Sequence, residues 1–205
     1  MTPVFCQPEL LQQTLLQYAE IFDTIGSTQD RALELCADPS LTVPALVVAQ
    51  RQTAGHGRDG ASWWSPDGAL LFSLIMPLPQ KFAQAHSSGQ LSLAIAQAVA
   101  DYLRVALRPS GSDKLVHVKP PNDIYIANAK IAGLLIDVPH QSNRKQRIAV
   151  VGIGLNVNND GRNSPAEITV PVTSTSELTG KKHNLQETLI SLLCYLEKTL
   201  MTHDA

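Results

Sequence analysis

The sequence predicts an α+β protein with a mixed, largely antiparallel sheet and helices packed on one side of it. Apolar runs of strand length follow one another as successive hairpins, without the strand–helix alternation that produces a parallel sheet. Other segments carry apolar residues at helical spacing. Of the 205 residues, 44% are hydrophobic and 17% are charged, so the chain can bury a substantial core. We expect residues 1–205 to form a single domain.

Apolar spacing predicts five elements in the first half of the chain. They are a helix over residues 8–18, a strand over residues 18–24, a helix over residues 29–37 and strands over residues 45–49 and 69–76. The last of these strands is a continuous apolar run, which predicts burial of both its faces.

The second half adds two helices and four strands. They are a helix over residues 91–106, strands over residues 115–118, 124–126, 130–138 and 147–157, and a helix over residues 185–200. The two middle strands are joined by a short turn and therefore form a hairpin. The total of about six or seven strands suits one sheet of ordinary size.

Composition and charge exclude several classes of function. The formal net charge is −2 and the pI is about 6.3, which argues against a nucleic-acid partner. No apolar run approaches the length of a membrane span, so no membrane partner is expected. The three cysteines are far apart without Cys-x-x-Cys spacing, and the N-terminus lacks the features of a signal peptide. Both observations favour a reducing cytoplasm.

Residues 52–63, which we call the glycine loop, carry three glycines within six positions. Glycine allows the backbone to approach a ligand closely. Arg58 and His56 lie among these glycines, so the loop offers backbone N–H groups and a cation to a phosphate or a carboxylate. An ordinary turn explains such a loop equally well on local pattern alone.

Two lysines and an aspartate lie on the predicted hairpin after residue 118. Lys119, Lys130 and Asp123 could together hold a phosphate and a metal, because an aspartate is a hard oxygen ligand suited to Mg²⁺. Lys130 has apolar strand neighbours, so an inward-facing ammonium would need an anionic partner. The alternative is that its long side chain reaches solvent from the strand end.

Two further segments have both a structural and a functional interpretation. Ser27 and Thr28 precede a predicted helix, where capping is the simpler interpretation. Gly152 and Gly154 interrupt the strand over residues 147–157. There a buried strand with a glycine bulge and a ligand contact are both open.

Taken together, these motifs resemble the catalytic domain of biotin protein ligases. The resemblance spans roughly residues 20–200 in order and includes the glycine loop, which matches that family's Gln-Thr-Ala-Gly-Arg-Gly-Arg-x-Gly-Arg-x-Trp pattern. The other matching motifs are residues 27–29, 119–123, 130–133 and 152–157. The resemblance implies the fold shared by biotin ligases and class II aminoacyl-tRNA synthetases.

The resemblance also implies a reaction, its substrates and the residues that serve it. Biotin would react with ATP in the presence of Mg²⁺ to give biotinyl-5′-AMP, and a lysine of a biotin carboxyl carrier protein would then take the biotinyl group. The implied catalytic residues are Lys130 and Arg58. The implied biotin-binding residues are Ser27, Thr28, Gln52, Gly55, His56, Gly57 and Gly133. The implied nucleotide-binding residues are Trp63, Lys119, Asn122, Asp123 and Asn156, with Asp123 also a ligand of Mg²⁺.

The chain departs from the family pattern at several positions in these motifs. His56 and Ala61 replace two arginines of the glycine loop, Pro120 replaces a tryptophan, and Gln29 replaces an asparagine. Loss of charge-assisted hydrogen bonds would weaken retention of the nucleotide. The alternative function is therefore a degenerate relative that binds biotin or another small acid without efficient ligation. A lipoate or octanoyl transferase on the same fold is a third, less favoured interpretation.

The resemblance bears on domain organisation and assembly as well. No winged helix precedes the catalytic domain in this sequence and no small C-terminal β-barrel follows it, so a repressor role is not expected. Members of the family often dimerise by joining sheet edges, which makes a homodimer compatible with the resemblance.

Overall fold

The computed structural model describes residues 4–83, 88–140 and 146–201. These residues form one sheet of seven strands with α-helices packed against it. The strands are β1 (Tyr18–Ile25), β2 (Ala45–Gln52), β3 (Ala69–Pro77), β4 (Val116–Lys119), β5 (Asp123–Ile126), β6 (Ala129–Asp137) and β7 (Ile148–Asn156). The α-helices are α1 (Gln7–Gln13), α2 (Thr28–Cys36), α3 (Ser88–Leu107), α4 (Thr175–Thr179) and α5 (Leu185–Met201).

The strand order across the sheet is β1-β2-β3-β7-β6-β5-β4. β1 and β2 are parallel, and every other neighbouring pair is antiparallel. The predicted mixed, largely antiparallel sheet is therefore confirmed. The one parallel pair arises because α2 lies between β1 and β2 in the chain, and a parallel pair needs such a crossover.

The helices cover both faces of the sheet, which corrects one detail of the prediction. Helices α1, α3 and α5 pack on the larger core together with side chains such as Leu70 and Phe72 of β3. Helix α2 packs on the opposite face, where Ala32 and Cys36 meet Ile75 of β3. Apolar spacing marks which side of a helix is buried, but it does not say which face of a sheet receives it.

Most predicted elements occur, with changes at their ends. Helix α1 stops at Gln13 because Thr14 has an extended backbone (φ −135°), so residues 14–17 lead into β1. Strand β4 begins one residue later than predicted, after a 3₁₀ turn over Asp113–Leu115. The short helix α4 was not predicted. A capping box between Ser174 and Glu177 begins it, and Gly180 ends it with φ +70°.

Helix α2 is held to β1 by an ion pair. The Arg31 Nε lies 2.8 Å from the Glu20 Oε2, and the Arg31 Nη2 donates to the Glu20 Oε1 at 2.9 Å. The hydrogen bond from Arg31 lowers the pKa of the Glu20 carboxyl below its ordinary value. Because α2 begins at Thr28, this pair also anchors the start of the helix over the sheet.

The substitution Glu20→Gln is expected to lower Tm by about 2–4 °C at pH 7. A carboxyl whose pKa is lower in the folded state stabilises that state above its unfolded pKa of about 4.3. This contribution disappears as the pH falls through the folded value.

Thermal melts between pH 3 and pH 7 (roughly the range that spans both pKa values) test this prediction for Glu20→Gln. The matched control is Glu34→Gln, since Glu34 pairs with the same arginine but is 66% exposed. A difference in Tm between wild type and Glu20→Gln that does not change with pH would contradict a stabilising role of the ionised Glu20 carboxylate.

Two smaller observations bear on the predictions from composition. Within the described ranges, no helix combines the length and apolarity that crossing a bilayer requires. Cys36 is buried in the core, whereas Cys194 is only partly buried.

Candidate functional site

A cavity of about 350 Å³ opens on the sheet face that α2 covers. Its walls come from the start of α2, the glycine loop, the segment between β4 and β5, and parts of the sheet strands β3, β6 and β7. Eleven of the residues predicted for the site line it: Ser27, Thr28, Gln52, His56, Gly57, Arg58, Trp63, Asn122, Asp123, Lys130 and Gly133. Segments distant in sequence thus meet at one place.

The floor of the cavity lacks side chains at two adjacent positions. The register places Gly133 of β6 opposite Gly154 of β7, and Gly154 opposite Leu71 of β3. The two glycines therefore expose the sheet backbone across neighbouring strands. The glycines of β7 are required by close approach of other groups, not by a bulge, since the β3–β7 and β6–β7 registers run through them without interruption.

The indole of Trp63 lies on this glycine floor. A Cβ added at Gly133 would come within 2.7 Å of the Trp63 Cζ3, and one added at Gly154 would come within 2.6 Å of the Trp63 Nε1. Within the described residues, the buried Trp63 Nε1 has no hydrogen-bond partner. A ligand lying on the floor must therefore share it with the indole or displace it.

One end of the cavity is lined by neutral hydrogen-bonding groups. Ser27 is the N-cap of α2, and its Oγ accepts from the backbone N–H of Asp30 at 3.3 Å. The Gln52 Oε1 accepts from the backbone N of Thr28 at 2.7 Å and from the Thr28 Oγ1 at 3.0 Å. Ser27 thus caps a helix and also lines the cavity, so the two interpretations of this residue are compatible.

The glycine loop folds into a small hairpin beside the cavity. His56 and Ser62 form an antiparallel bridge, and the backbone N of Gly57 donates to the carbonyl of Ala61 at 2.6 Å. Asp59 (φ +57°) and Gly60 (φ +75°) occupy the left-handed region at the tip. This combination favours glycine and aspartate over bulkier residues.

Two side chains tie the glycine loop to its surroundings. The His56 Nε2 lies 2.9 Å from the Asp30 Oδ1 in the first turn of α2. The Arg58 Nη1 donates to the Asn122 Oδ1 at 3.2 Å. His56 therefore contacts an acidic residue through its ring, whereas Arg58 extends across the cavity mouth.

Lys130 lies at the other end of the cavity, where its ammonium is mostly buried. The Nζ is 2.8 Å from the Asp123 Oδ1, with the two side chains 21% and 24% exposed. It also lies 5.3 Å from the centre of the Trp63 ring, within the range of a cation–π contact. Lys130 thus has the anionic partner that its apolar strand neighbours predicted, and it does not extend into solvent.

Two asparagines fix the segments around Lys130. The Asn122 Nδ2 donates to the carbonyl of Leu134 at 2.8 Å, which holds the segment before β5 against β6. Asn156 is buried; its Nδ2 lies 3.5 Å from the carbonyl of Lys130, and its Oδ1 accepts from Asn159. Asn156 therefore lies beneath the lysine and beside the main cavity.

A second cavity of about 440 Å³ adjoins the first at Lys130 and Trp63. Its lining also includes Trp64, Asn156, Glu167, Ile168, Thr169, Val170 and Val172. Lys130 therefore lies where two cavities meet, one with a neutral polar end and one whose walls are mainly aromatic and apolar.

Three of the predicted site residues do not line the main cavity. Lys119 is exposed on β4, where its Nζ lies 5.3 Å from the Tyr125 ring. Gly55 lies behind the cavity wall, where a Cβ would be 2.8 Å from the Gln52 Nε2. Asn156 reaches only the second cavity. The structure thus does not bring Lys119 to the site, because its side chain packs on the β4–β5 hairpin.

Some residues at the site were not selected from the sequence. Ser73 contacts Thr28 and Asp30 contacts His56, whereas Asp137 contacts Gln29 in α2. The only sequence signal for Ser73 was a single polar residue within an apolar strand, and Asp137 ends such a strand. Both signals are weak, because polar residues at strand ends are common.

No group of three or more metal-ligating side chains occurs among the described residues. Asp123 is the acidic residue on the main cavity wall there, and its Oδ1 is paired with Lys130. A Mg²⁺ ion commonly takes one or two carboxylates together with substrate phosphates and water. The donor set therefore fits a metal that arrives with a nucleotide, and not an all-protein metal site.

Comparison with known proteins places these features in a family. The sequence pattern of the biotin/lipoate A/B protein ligase family matches residues 21–158. The bifunctional ligase/repressor BirA of Bacillus spizizenii is 33% identical over 184 residues, which are 88% of this chain and 54% of that protein. The biotin–[acetyl-CoA-carboxylase] ligase of Paracoccus denitrificans is 37% identical over 131 residues, 64% of this chain and 51% of that protein.

Solved structures agree with the sequence comparison. The biotin protein ligase from Aquifex aeolicus in complex with biotin and ATP superposes with a TM-score of 0.70 at 30% identity. The match covers 91% of this chain and 71% of that one. The present chain spans about half the length of the curated relatives described above.

Proposed function

Because the chain belongs to the biotin/lipoate A/B protein ligase family, we propose that it activates biotin with ATP and transfers it to a protein lysine. The single observation that carries this proposal is the polarity of the main cavity. Neutral hydrogen-bonding groups line one end, an ammonium lies at the other, and the glycine floor that carries the Trp63 indole joins them. Biotin has the same order of groups: a cyclic urea, an apolar chain and a carboxylate.

The neutral end suits the ureido ring of biotin. A urea carbonyl accepts hydrogen bonds and its N–H groups donate them, so its site needs both kinds of partner. The hydroxyls of Ser27 and Thr28 and the amide of Gln52 supply both. None of these groups carries a charge, which fits a neutral ring and disfavours a charged one.

The cationic end would promote attack by the carboxylate on ATP. An oxygen of the biotin carboxylate forms a bond to the α-phosphorus while the bond from that phosphorus to the bridging oxygen breaks, which releases pyrophosphate. Two anions must approach each other in this step. Lys130 would lie between them, with Arg58 on the loop, and would offset their repulsion and the charge that develops on the phosphate.

The second step would consume the mixed anhydride. An uncharged lysine amine of a carrier protein attacks the acyl carbon, the new C–N bond forms, the bond to the phosphate oxygen breaks, and AMP leaves as the amine loses its proton. The glycine loop and the indole of Trp63 would keep water away from the anhydride before the carrier arrives. Mg²⁺ bound to the triphosphate would neutralise phosphate charge, with Asp123 as its protein ligand.

The second cavity suits the nucleotide in this proposal. It adjoins Lys130, and its aromatic and apolar walls offer a surface on which a base can stack. Asn156 and Trp63 line it and Asn122 lies on the adjoining main cavity, whereas Lys119 would need to leave Tyr125 to contribute. The relatives are ligases, which favours ligation over binding of the acid alone.

The proposal is tested by mixing the pure protein with ATP, Mg²⁺ and biotin and measuring the release of pyrophosphate. A carrier domain is then added, and its mass is measured for the gain of one biotinyl group. Binding of biotin is followed by calorimetry in parallel. Tight binding without pyrophosphate would support the binding-only alternative, and no response to biotin would overturn the proposal.

Ala61→Arg is expected to lower the KM for ATP by at least about fivefold, since charge-assisted hydrogen bonds contribute about 1.5–3 kcal/mol. Ala61 lines both cavities, so an arginine there can reach phosphate oxygens. Steady-state kinetics with varied ATP measure the effect, and Ala61→Gln is the control of similar reach without charge. An equal change in both variants would mean that the charge plays no part.

A further inference from the structure

A third cavity, of about 640 Å³, adjoins the main cavity along the glycine loop. Five residues line both cavities, and three of them are consecutive in the loop: His56, Gly57 and Arg58. Other parts of the third cavity's wall come from α2, the start of α3 and the end of β6. Residues 56–58 therefore form a wall between the two cavities, and their displacement would open the main cavity from the side.

The backbone fixes the glycine loop at its base. The Thr53 N donates to the carbonyl of Ile25 at 2.9 Å, and the Ala54 N donates to the carbonyl of Gly26 at 2.8 Å. Among the described residues, the backbone hydrogen bonds of residues 56–62 stay within the loop. The position of residues 56–58 against the rest of the protein therefore depends on their side chains.

Two side-chain contacts join residues 56–58 to other elements. The His56 Nε2 lies 2.9 Å from the Asp30 Oδ1 in α2, and the Arg58 Nη1 donates to the Asn122 Oδ1 at 3.2 Å. A carboxylate only accepts hydrogen bonds, so the imidazole Nε2 is the donor in the first contact. The side chains of His56 and Asp30 are 35% and 57% exposed. Water can therefore replace either partner, and the contact can break without leaving a buried polar group unsatisfied.

Asp30 contacts the loop without reaching either cavity. It lines neither the main cavity nor the third one, and it lies in the first turn of α2, three residues after Ser27. Its partner His56 stands where the family pattern has an arginine, so the contact belongs to a substitution of this chain. Any effect of Asp30 on a ligand in the main cavity must pass through His56 or through the helix.

We infer that Asp30 and His56 are positioning residues whose contact, which we call the clasp, holds residues 56–58 closed beside the neutral end of the main cavity. The inference rests on the proposed function, since it assigns how biotin enters and leaves the same site. The clasp must open for a ligand to pass between the two cavities. It involves no atom of biotin, so it slows entry and exit by the same factor.

Asp30→Ala is expected to raise both the association rate and the dissociation rate of biotin about two- to fivefold, the range that a partly exposed ion pair contributes. The Kd should stay unchanged, because the two rates rise together. Stopped-flow tryptophan fluorescence measures association, since Trp63 lines the main cavity. A chase of labelled biotin with an excess of unlabelled biotin gives the dissociation rate.

A double-mutant cycle identifies the partner of Asp30. His56→Ala should raise both rates about as much as Asp30→Ala does, and the double variant should be no faster than either single variant, because the clasp is already broken. Hydrogen exchange of the backbone amides of residues 55–63, measured without biotin, should be faster in all three variants. This second measurement does not depend on the identity of the ligand.

Glu187→Ala is the matched control for the helix. Glu187 is the third residue of α5, as Asp30 is of α2, but α5 packs on the far face of the sheet. Its removal takes a carboxylate from the first turn of a helix and should change neither rate. A rise in the dissociation rate alone, or single effects that multiply in the double variant, would overturn the inference. If wild-type protein does not bind biotin, the proposed function fails, and amide exchange alone decides whether the clasp holds the loop.

Discussion

Lys130→Met is expected to slow pyrophosphate release about a hundred- to thousandfold, the usual effect of removing one group that stabilises transition-state charge. Methionine keeps much of the apolar stem that lies near Gly133 and removes only the ammonium. Two anions about 4 Å apart repel each other by about 4 kcal/mol at an effective dielectric constant of about 20. Without the cation, the carboxylate and the α-phosphate must overcome that repulsion to react.

The measurement is single-turnover pyrophosphate release at saturating biotin and ATP, which separates the chemical step from binding. Lys114→Met is the matched control, because Lys114 is an exposed lysine in the 3₁₀ turn before β4. Circular dichroism confirms that each variant is folded. A Lys130→Met protein within tenfold of wild type would contradict the central role given to this lysine.

The part of the site built from consecutive residues could be predicted from the sequence. The glycine loop, Asn122–Asp123 and Lys130 each lie within a short motif, and strand pairing brings those motifs to one cavity. Lys119 belongs to such a motif as well, yet its side chain lies over Tyr125. Motif spacing identifies a residue but does not determine which side of a hairpin its side chain occupies.

Contacts between distant segments could not be predicted, because no local pattern encodes them. His56 meets Asp30 across 26 positions, and Gln29 meets Asp137 across 108. The packing of α2 on the sheet face opposite the other helices is of the same kind. Such contacts depend on strand order, which apolar periodicity leaves open. They are also where this chain departs from the family pattern, since Gln29 and His56 are two of its substitutions.

Gly154→Ala is expected to weaken binding of biotin about a hundredfold, an effect within the range of about 1–3 kcal/mol for overpacking. The new methyl group would clash with the six-membered ring and the nitrogen of the Trp63 indole. It would also stand on the floor that the apolar chain of biotin is proposed to cross. The indole cannot retreat without losing its packing on the neighbouring Gly133.

Calorimetry with biotin measures the loss, and the tryptophan emission spectrum reports whether the indole has left its buried position. Gly89→Ala is the matched control, because no described atom lies within 4 Å of a Cβ at Gly89 and its φ is not in the left-handed region. It should keep wild-type affinity. An altered emission spectrum with unchanged affinity in Gly154→Ala would show that the ligand does not cross this floor. A shift in emission together with the loss of affinity is the result that the shared floor requires, since one methyl group then excludes both the indole and the ligand.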